Sequence, residues 1–341
     1  MYLEHLATVL ANPSRRYDIS PYYEGWFQLG WSRDLRRGQL VKVRQFGTTL
    51  AMFRGEDGKV GVLDDICPHL GAHFSEGGCV KGNAVRCPYH HWSFGRDGRC
   101  VDIPYSKKIP AKAKVNGYAV EERYGMIFMY RSASGGAPTR PLPTIENFEI
   151  DQHCEPETFD FSIRIHGQDI MENSVDGAHF TAVHGHSTPT NEFSEDNGAL
   201  RVNQQMSVER FGTKIDFRLE FHLVEPGFHY VHFPMLPGTT AMVFSSLVPI
   251  DEEYTSHRMT FCIKKTRVPG WSKLVRKFLI WQMMKTYRED LRIWENKEYH
   301  AHPVLCDGDG SIMKLRRWFS GFLDPREASN VRRLPVTSSA T

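Results

Sequence analysis

The sequence predicts an α+β protein with two domains: an all-β N-terminal domain, and a C-terminal domain that combines an antiparallel sheet with a long helix. Three observations support this prediction. Short β-branched and aromatic runs fill residues 26–131, a segment rich in Ser, Gly and Pro follows, and longer alternating runs then precede an amphipathic stretch. We therefore place an N-terminal extension at 1–24, the β domain at 25–131, a linker at 132–145 and the C-terminal domain at 146–341.

The composition is typical of a soluble globular protein. The 341 residues include 42 Lys and Arg against 40 Asp and Glu, so no strong positive field favours nucleic acid. No apolar run reaches the roughly 18 residues of a transmembrane helix, and the first residues lack the pattern of a secretory signal. Seven cysteines without a framework spacing argue against a disulfide scaffold. We expect a cytoplasmic protein with no nucleic-acid partner and no transmembrane segment.

Short strands and turns predict the N-terminal domain. The runs QLVKVRQF, TTLAMFRG and KVGVLDD are β-branched or aromatic, and GEDGK supplies a turn between two of them. YAVEERYGMIFMYR adds two more strands and ends at Arg131. The following SASGGAPTRPLP is too rich in Ser, Gly and Pro to pack as helix or strand, which indicates a linker or crossing loop.

Longer elements predict the C-terminal domain. Between residues 200 and 266, runs such as KIDFRLEFHLV and TAMVFSSLVPI alternate as strands do. From Ser272, an amphipathic stretch carries an apolar stripe that advances by threes and fours: Leu274, Phe278, Trp281, Met284, Tyr287, Leu291 and Trp294. We expect a helix-grip-like domain, with the sheet around this long helix and the stripe in the core. Because the start of the helix is basic and aromatic, peripheral contact with a membrane surface is a second, less favoured interpretation.

Two loops carry paired cysteine and histidine residues. CPHLGAHF contains Cys67 and His69, and CPYHHWSF contains Cys87 and His90. Coincidence is a poor explanation, because both pairs lie in matching Cys-Pro loops flanked by strands and glycines. The four side chains could hold a structural zinc ion, or a [2Fe–2S] cluster in which two cysteines bind one iron and two histidines bind the other. Zinc alone would not account for the second group of candidate ligands described below.

The two loops resemble the Rieske domain of the Rieske non-haem iron oxygenases over roughly residues 25–131. The resemblance implies that these two cysteines and two histidines bind a Rieske [2Fe–2S] cluster, whose neutral imidazole ligands raise its reduction potential. The chain departs from the family pattern after the second histidine, where His91 replaces a common glycine. The remaining cysteines are expected to be ordinary buried thiols: Cys79, Cys100, Cys154, Cys262 and Cys306.

A second group of candidate ligands lies in ENSVDGAHFTAVHG. Asp176 and His179 are three apart and share a helix face, whereas His184 is about 140° further round than His179. The two imidazoles can meet at one ion only if the helix bends or ends between them, and the pattern taken alone also fits an ordinary helix end. The segment resembles the mononuclear-iron segment of the same oxygenases. The resemblance implies that both histidines and one carboxylate bind iron(II), with positions left open for dioxygen and substrate.

The carboxylate ligand must come from another part of the chain. The candidates are Glu289, Asp290, Glu295, Asp307 and Asp309. Asp290 lies with the apolar stripe of the long helix, where a charged group needs a partner, and Glu289 lies toward the polar side. The family also takes its carboxylate from this late helix, so we predict Asp290 as the ligand, with Glu289 as the alternative. A salt bridge to Arg288 or Lys297 on the helix surface would instead leave this carboxylate with a structural role.

The resemblance also implies how the two centres act together. In the family, electrons pass from an external donor to the cluster and then to the iron, across subunits of a ring-shaped homotrimer. Asp176 occupies the position of an aspartate that bridges to a cluster histidine of the neighbouring chain, here His90, and Asn173 aligns with a residue near the iron. No Gly-x-Gly-x-x-Gly follows a strand, so electrons from NAD(P)H should arrive through a separate ferredoxin or flavin reductase. Such a partner would dock around His69 and His90.

The last 70 or so residues carry the indication of substrate class. EDLRIWENK and SIMKLRRWFSGF resemble the branch that contains 3-ketosteroid 9α-hydroxylases and cholesterol 7-desaturases. This resemblance implies hydroxylation or desaturation of a hydrophobic, steroid- or sterol-like molecule. An aromatic-ring or O-demethylating monooxygenase would keep the same metal ligands and change only the pocket. A Rieske electron carrier would leave His179 and His184 unexplained.

Overall fold

The computed structural model describes residues 17, 19–133, 135–187, 190–210, 213–234, 240–268 and 270–323. Among these residues, an N-terminal unit lies within 25–148, and a C-terminal unit comprises the described residues from 149 onward together with those described before Gly25. The first unit is built from short strands, and the second combines one large antiparallel sheet with helices, which confirms the predicted α+β class. The segment 132–145 falls within the N-terminal unit.

Three small antiparallel sheets form the N-terminal unit, in the orders β1-β10-β9, β2-β3-β4 and β5-β6-β7-β8. Their strands are β1 (Gly25–Trp31), β2 (Leu40–Gln45), β3 (Thr48–Arg54), β4 (Val60–Asp64), β5 (Cys79–Lys81), β6 (Ala84–Arg86), β7 (Ser93–Phe94), β8 (Cys100–Asp102), β9 (Ala119–Arg123) and β10 (Met126–Arg131). Tight turns connect them. At one turn Gly98 has φ 77°, and a Cβ there would lie 2.1 Å from the Val115 carbonyl oxygen, so only glycine fits.

The C-terminal unit contains a seven-stranded antiparallel sheet in the order β11-β17-β16-β15-β14-β13-β12. Its strands are β11 (Glu157–Ile163), β12 (Thr190–Asp196), β13 (Ala199–Arg210), β14 (Thr213–Glu225), β15 (Phe228–Pro234), β16 (Thr240–Pro249) and β17 (Thr255–Ile263). The helices are α1 (Gly167–Glu172), α2 (Ala178–Ala182), α3 (Trp271–Trp294) and α4 (Ile312–Ser320). Short 3₁₀ turns occur at Ser32–Asp34, Ile150–Gln152 and Asp307–Asp309.

The long helix α3 contacts β17, but its buried face differs from the predicted stripe. The structure buries Ser272, Val275, Leu279, Tyr287, Asp290 and Trp294, whereas Leu274, Phe278 and Trp281 are exposed. The predicted stripe was therefore wrong for the first half of the helix. The stripe advances mostly by threes, so it winds around a helix of 3.6 residues per turn. At about 100° per residue, Leu274 and Trp294 point in nearly opposite directions.

The expectation that every cysteine outside the cluster loops is a buried thiol is also wrong. Cys100 and Cys262 are buried, but Cys79 and Cys306 are exposed and Cys154 is half-buried. Cys79 begins the three-residue strand β5 at a sheet edge, and Cys306 lies in a loop, so neither position requires burial. Within the described part of the chain, no helix is both long enough and apolar enough to cross a bilayer.

Candidate metal centres

The two Cys/His loops of the N-terminal unit fold in the same way. The Cys67 N–H donates to the Ala72 carbonyl at 2.8 Å, and the Cys87 N–H donates to the Trp92 carbonyl at the same distance. Both cysteine side chains are buried in one apolar cluster with Phe74. Burial, reinforced by the neighbouring Cys87, raises the pKa of the Cys67 thiol to about 12. A thiolate at this position therefore needs a cation to stabilise it.

The two histidines of these loops face each other on the outer side of the cysteine pair. The ring centroids of His69 and His90 are 4.6 Å apart, and both residues are half-buried. His69 stacks on Trp92 at 4.5 Å, and the Trp92 indole N–H donates to the Tyr105 hydroxyl at 2.7 Å. Two buried thiols and two outer imidazoles are the donor set of a Rieske cluster, so the residues present fit that group.

His91 occupies an unusual backbone position. It lies four residues after Cys87 and has φ 61°, and Gly71 lies four residues after Cys67 with φ 78°. A left-handed conformation favours glycine, which explains why glycine is common after the second ligand histidine. His91 is exposed, and the loop tolerates its side chain at the cost of local backbone strain.

A buried carboxylate that sequence reasoning missed supports the first loop. Asp65 is fully buried and accepts hydrogen bonds from the Ser75 N–H at 2.7 Å and the Ser75 hydroxyl at 2.6 Å. The His73 Nδ1 lies 2.9 Å from the same carboxylate. These contacts fix the chain on both sides of the Cys67–Ala72 turn.

The C-terminal unit brings together His179, His184 and Asp290. One ligand atom from each lies within 4.8 Å of the other two. His184 Nε2 is 3.1 Å from Asp290 Oδ1, yet this buried nitrogen has no hydrogen-bond partner. A nitrogen lone pair beside a carboxylate is the arrangement expected around a divalent cation. These residues therefore fit the mononuclear iron site that the sequence predicts.

The backbone explains how the two imidazoles converge. Helix α2 ends at Ala182, so His184 lies beyond it and is free of helical geometry. Asp176 precedes the helix instead of lying within it, and its Oδ1 accepts the N–H groups of Ala178 and His179 at 3.0 and 3.3 Å. The Asp176 side chain therefore caps α2.

Partners on the far side of each ring orient the ligand nitrogens. His179 Nδ1 lies 2.6 Å from the Asp176 backbone carbonyl, which can only accept, so Nδ1 carries the proton and Nε2 is left for a metal. His184 Nδ1 lies 2.9 Å from Glu289 Oε2, so the same argument applies. Glu289 and Asp290 thus contact opposite nitrogens of one imidazole. A carboxylate–histidine pair of this kind is typical of the surroundings of a metal ligand.

The electrostatic environment differs between the two histidines. Burial lowers the pKa of His179, and the carboxylates of Asp290 and Asp176 offset this only in part. For His184, the nearby carboxylates of Asp290 and Glu289 outweigh burial and raise the pKa. A metal ion would therefore compete with a proton chiefly at His184. Lys297, one of the alternative partners considered for Asp290, instead pairs with Asp169 at 2.9 Å.

A buried ion pair that the sequence did not indicate anchors helix α1. Arg316 of α4 donates through Nε to Glu172 Oε1 at 2.7 Å and through Nη2 to Oε2 at 3.2 Å, and both side chains are almost fully buried. Asn173 follows directly, and its Oδ1 lies 3.4 Å from the Trp294 indole nitrogen. The segment that carries the candidate ligands His179 and His184 is thus tied to both C-terminal helices.

A cavity of about 840 Å³ adjoins the three candidate ligands. Its walls are mainly apolar: Ile170, Phe180, Phe217, Leu219, Phe221, Val231, Phe233, Val243, Met259, Leu274, Val275, Phe278, Leu279 and Met283. His179, His184, Asp290 and Asn173 contribute to the lining. The volume lies within the range of pockets for small organic ligands.

A small polar group interrupts the apolar wall. The Ser245 hydroxyl lies 2.7 Å from His257 Nε2, and the Tyr287 hydroxyl lies 2.9 Å from His257 Nδ1. His229 is the register partner of Ser245, and its buried Nδ1 has no hydrogen-bond partner. Burial lowers the pKa of both His229 and His257 to about 3, so both are neutral at pH 7. Alternation along β15, β16 and β17 could have indicated that these residues point inward.

Comparison with known families matches residues 25–118 to the Rieske [2Fe-2S] domain and residues 129–323 to the 3-ketosteroid 9alpha-hydroxylase C-terminal domain. The second match covers more than half of the chain. The chain belongs to the 3-ketosteroid 9α-hydroxylase family of Rieske oxygenases. It is accordingly an oxidoreductase, and the predicted family, fold class and enzyme class are confirmed.

Relatives within and around this family include both kinds of enzyme named above. Cholesterol 7-desaturase nvd from Hemicentrotus pulcherrimus is 32% identical over 89% of this chain and 71% of its own. A 3-ketosteroid-9-alpha-monooxygenase oxygenase component from Rhodococcus rhodochrous is 29% identical over 88% of this chain and 82% of its own. Among solved structures, NdmA of Pseudomonas putida CBB5 with caffeine has a TM-score of 0.70 at 18% identity and covers 93% of this chain and 97% of its own. At such identity the likeness shows the fold alone.

Proposed function

We propose that the chain is the terminal oxygenase of an electron-transfer system and that it hydroxylates or desaturates a steroid- or sterol-like substrate. The proposal rests on one observation: His179, His184 and Asp290 converge at the wall of an apolar cavity of about 840 Å³. Two histidines and one carboxylate leave part of the coordination sphere of an iron(II) ion free, and the cavity offers room for a substrate beside it.

Seven side chains would hold the two metal groups. Cys67, His69, Cys87 and His90 would bind the [2Fe–2S] cluster, and His179, His184 and Asp290 would bind iron(II). When bound, the cluster supplies electrons one at a time and the iron(II) supplies the site for dioxygen activation. The chain contributes orientation: the Asp176 carbonyl and the Glu289 carboxylate fix the protons on Nδ1 of the two histidines, which directs both Nε2 atoms to the same point.

The cavity supports a large apolar substrate with a single polar group. Most of its wall would exclude water from the reacting carbon, while Ser245, His229 and His257 offer a small hydrogen-bonding group. The relatives are named for a ketosteroid and for cholesterol, each of which is a rigid fused-ring hydrocarbon that carries a ketone or a hydroxyl group. A neutral His229 can donate to a ketone or accept from a hydroxyl through the tautomer it adopts.

The electron donor and the assembly follow from the same hypothesis. Electrons from NAD(P)H would reach the cluster through a separate ferredoxin or flavin reductase, and the exposed side chains of Leu70, Tyr89 and Tyr105 beside the cluster loops suit a docking surface. The homotrimer would pair Asp176 of one copy with His90 of the next. Asp176 Oδ1 is occupied as the cap of α2, whereas Oδ2 lies 3.9 Å from His179 Nδ1, too far for a hydrogen bond, and could form that bridge. Within the described residues no cysteine forms a disulfide, which fits a reducing compartment such as the cytoplasm.

Turnover with a substrate panel tests the proposal. The holoenzyme, supplied with NADH, a reductase and a ferredoxin, is incubated with 3-ketosteroids, sterols, methoxyarenes and polycyclic arenes, and the products are identified by mass spectrometry. We expect a steroid or sterol to gain one oxygen atom or to lose two hydrogen atoms. Conversion of the arenes or methoxyarenes alone would instead support the aromatic-ring or O-demethylating alternative.

A further inference from the structure

The first three turns of helix α3 present an apolar stripe to solvent. Trp271, Leu274, Phe278 and Trp281 are exposed by 37, 59, 51 and 59%, and Val268, three residues before the helix, is exposed by 61%. Their spacing of three, four and three places them along one face, over about 15 Å of helix. Large aromatic side chains lined up in this way on a surface indicate a binding site.

The stripe lies at the edge of the substrate cavity. Trp271, Leu274 and Phe278 line the cavity as well as the outer surface, whereas Trp281 lies only on the surface. Val275 and Leu279, one position further round the helix, are buried and also line the cavity. The apolar interior thus continues along these side chains onto this face of the helix, while the exposed Asp216 and Arg218 lie elsewhere on the cavity lining.

The surroundings of the stripe are strongly basic. Between Lys264 and Arg288 the chain carries eight Lys and Arg residues and no Asp or Glu. Lys273 and Lys277 lie on the exposed flank of the stripe, and Lys285 continues it one turn beyond Trp281. Arg276 points away and pairs with Glu157 at 3.2 Å. The acidic Asp216 at the cavity wall lies 3.9 Å from Lys214, so it does not reverse the local charge.

We propose that this stripe, Val268 to Trp281, binds the surface of an anionic lipid bilayer, so that the cavity opens into the acyl region. Aromatic and aliphatic side chains at the centre, with lysines on the flank, form the pattern of an interfacial helix. Because Trp271, Leu274 and Phe278 are exposed and also line the cavity, an apolar substrate could pass along them from lipid to cavity without crossing water. This transfer rests on the proposed substrate class, whereas binding to the bilayer does not.

Charge favours a bilayer over a second copy of the chain. Contact between two copies across this face would bring two predominantly basic helix segments together, which is unfavourable. Anionic headgroups would neutralise Lys273, Lys277 and Lys285 while the apolar side chains leave water. The face therefore matches the chemistry of a lipid surface in both its charge and its apolar content.

Vesicle flotation tests the proposal with the full-length holoenzyme. The protein is mixed with vesicles of phosphatidylcholine, with or without phosphatidylserine, and the bound fraction is measured at low and high salt. Two variants remove the proposed contacts, Trp281→Glu and the double variant Lys273→Glu/Lys277→Glu. Their matched controls are Val304→Glu, at a fully exposed apolar residue, and Lys107→Glu/Lys108→Glu, at exposed lysines of the N-terminal unit.

We expect the wild type to bind the phosphatidylserine vesicles in a salt-sensitive manner, and both test variants to bind at least about tenfold more weakly than their controls. Turnover of substrate delivered in cyclodextrin should be unchanged in Trp281→Glu, since Trp281 lies outside the cavity. A wild type that stays unbound, or test and control variants that bind alike, would overturn the proposal. A change in molecular mass of Trp281→Glu by light scattering would also overturn it, because the stripe would then be a contact between copies. If the substrate class is wrong, vesicle binding persists and steroid turnover fails, so the two failures are distinguishable.

Discussion

At the scale of single residues, the neighbouring carboxylates of Glu289 and Asp290 have separate contacts with His184. The sequence predicted that one of them completes the metal site, from the position of Asp290 on the helix. It could not predict that Glu289 would contact the opposite ring nitrogen, because that depends on where the chain places His184 after α2 ends. The sequence also did not predict that His229 is neutral, because its burial depends on the packing of the sheet. The Arg316–Glu172 pair was not foreseen because the two residues are 144 positions apart in the chain.

The two carboxylates should therefore respond differently to truncation. Asp290→Ala should lose the mononuclear iron, whereas Glu289→Ala should weaken iron binding by about 10- to 100-fold without abolishing it, because it removes only the orienting partner. Glu289→Gln keeps an acceptor for His184 Nδ1 and serves as the control. Iron titration of the depleted protein measures these affinities. Full iron binding in Asp290→Ala, with none in Glu289→Gln, would reverse the assignment.

Buried His229 should make stability depend on pH. Its pKa is about 3 in the folded protein and about 6.5 when exposed, so only the unfolded chain gains a proton between these values. The stabilisation is complete above pH 6.5 and is lost as the pH falls, by up to about 1.4 kcal/mol per pH unit. Urea unfolding of His229→Leu between pH 6.5 and 4.5 should show a shallower pH dependence than the wild type. Equal slopes would contradict a buried, neutral His229.

At the scale of secondary structure, helix α3 shows what periodicity can and cannot establish. The existence of the helix and the inward position of Tyr287, Asp290 and Trp294 followed from the sequence. The first half of the apolar stripe did not, because a pattern dominated by steps of three drifts around the helix. An exposed apolar residue and a core residue look alike in sequence when both are leucine. Which of Leu274 and Leu279 is buried depends on the side of the helix that packs against the sheet, and periodicity alone does not determine that side.

Two leucines of this helix provide a matched test of that orientation. Leu279 is 4% exposed and Leu274 is 59% exposed. Leu279→Ala should lower the free energy of unfolding by about 2–5 kcal/mol, because it removes a packed side chain and leaves a cavity. Leu274→Ala should change it by about 0.5 kcal/mol or less. Chemical denaturation measures both, and equal losses would mean that the helix is rotated from its position in the structure.

At the scale of the whole molecule, the proposed enzyme needs two metal centres and a path between copies of the chain. The sequence motifs predicted the cysteine and histidine ligands of both proposed centres because ligand identity and spacing are local properties. The assembly rests on the family resemblance and on the position of Asp176, whose second carboxylate oxygen remains available beyond the cap of α2. The negative charge of Asp176 would then link His179 to His90 of the neighbouring copy, whereas its role as a hydrogen-bond acceptor would serve only to cap α2.

Asp176→Asn separates these two roles. An asparagine retains an oxygen that can cap α2, so the fold and both metals should be kept, but it removes the charge. We expect normal reduction of the cluster by its donor and a loss of turnover by several orders of magnitude, measured by stopped-flow absorbance and product formation. A fully active monomer by light scattering, or wild-type turnover in the variant, would contradict the bridge between copies.

The most direct test of the central claim is the metal content of the purified protein, measured together with its electron paramagnetic resonance spectrum. The account predicts about three irons per chain, with the rhombic signal of a reduced Rieske centre. In His184→Ala the content should fall to about two irons while that signal is unchanged, because the cluster ligands lie on other loops. A colourless protein with one tightly bound zinc, or a His184→Ala variant that still holds about three irons, would contradict the account.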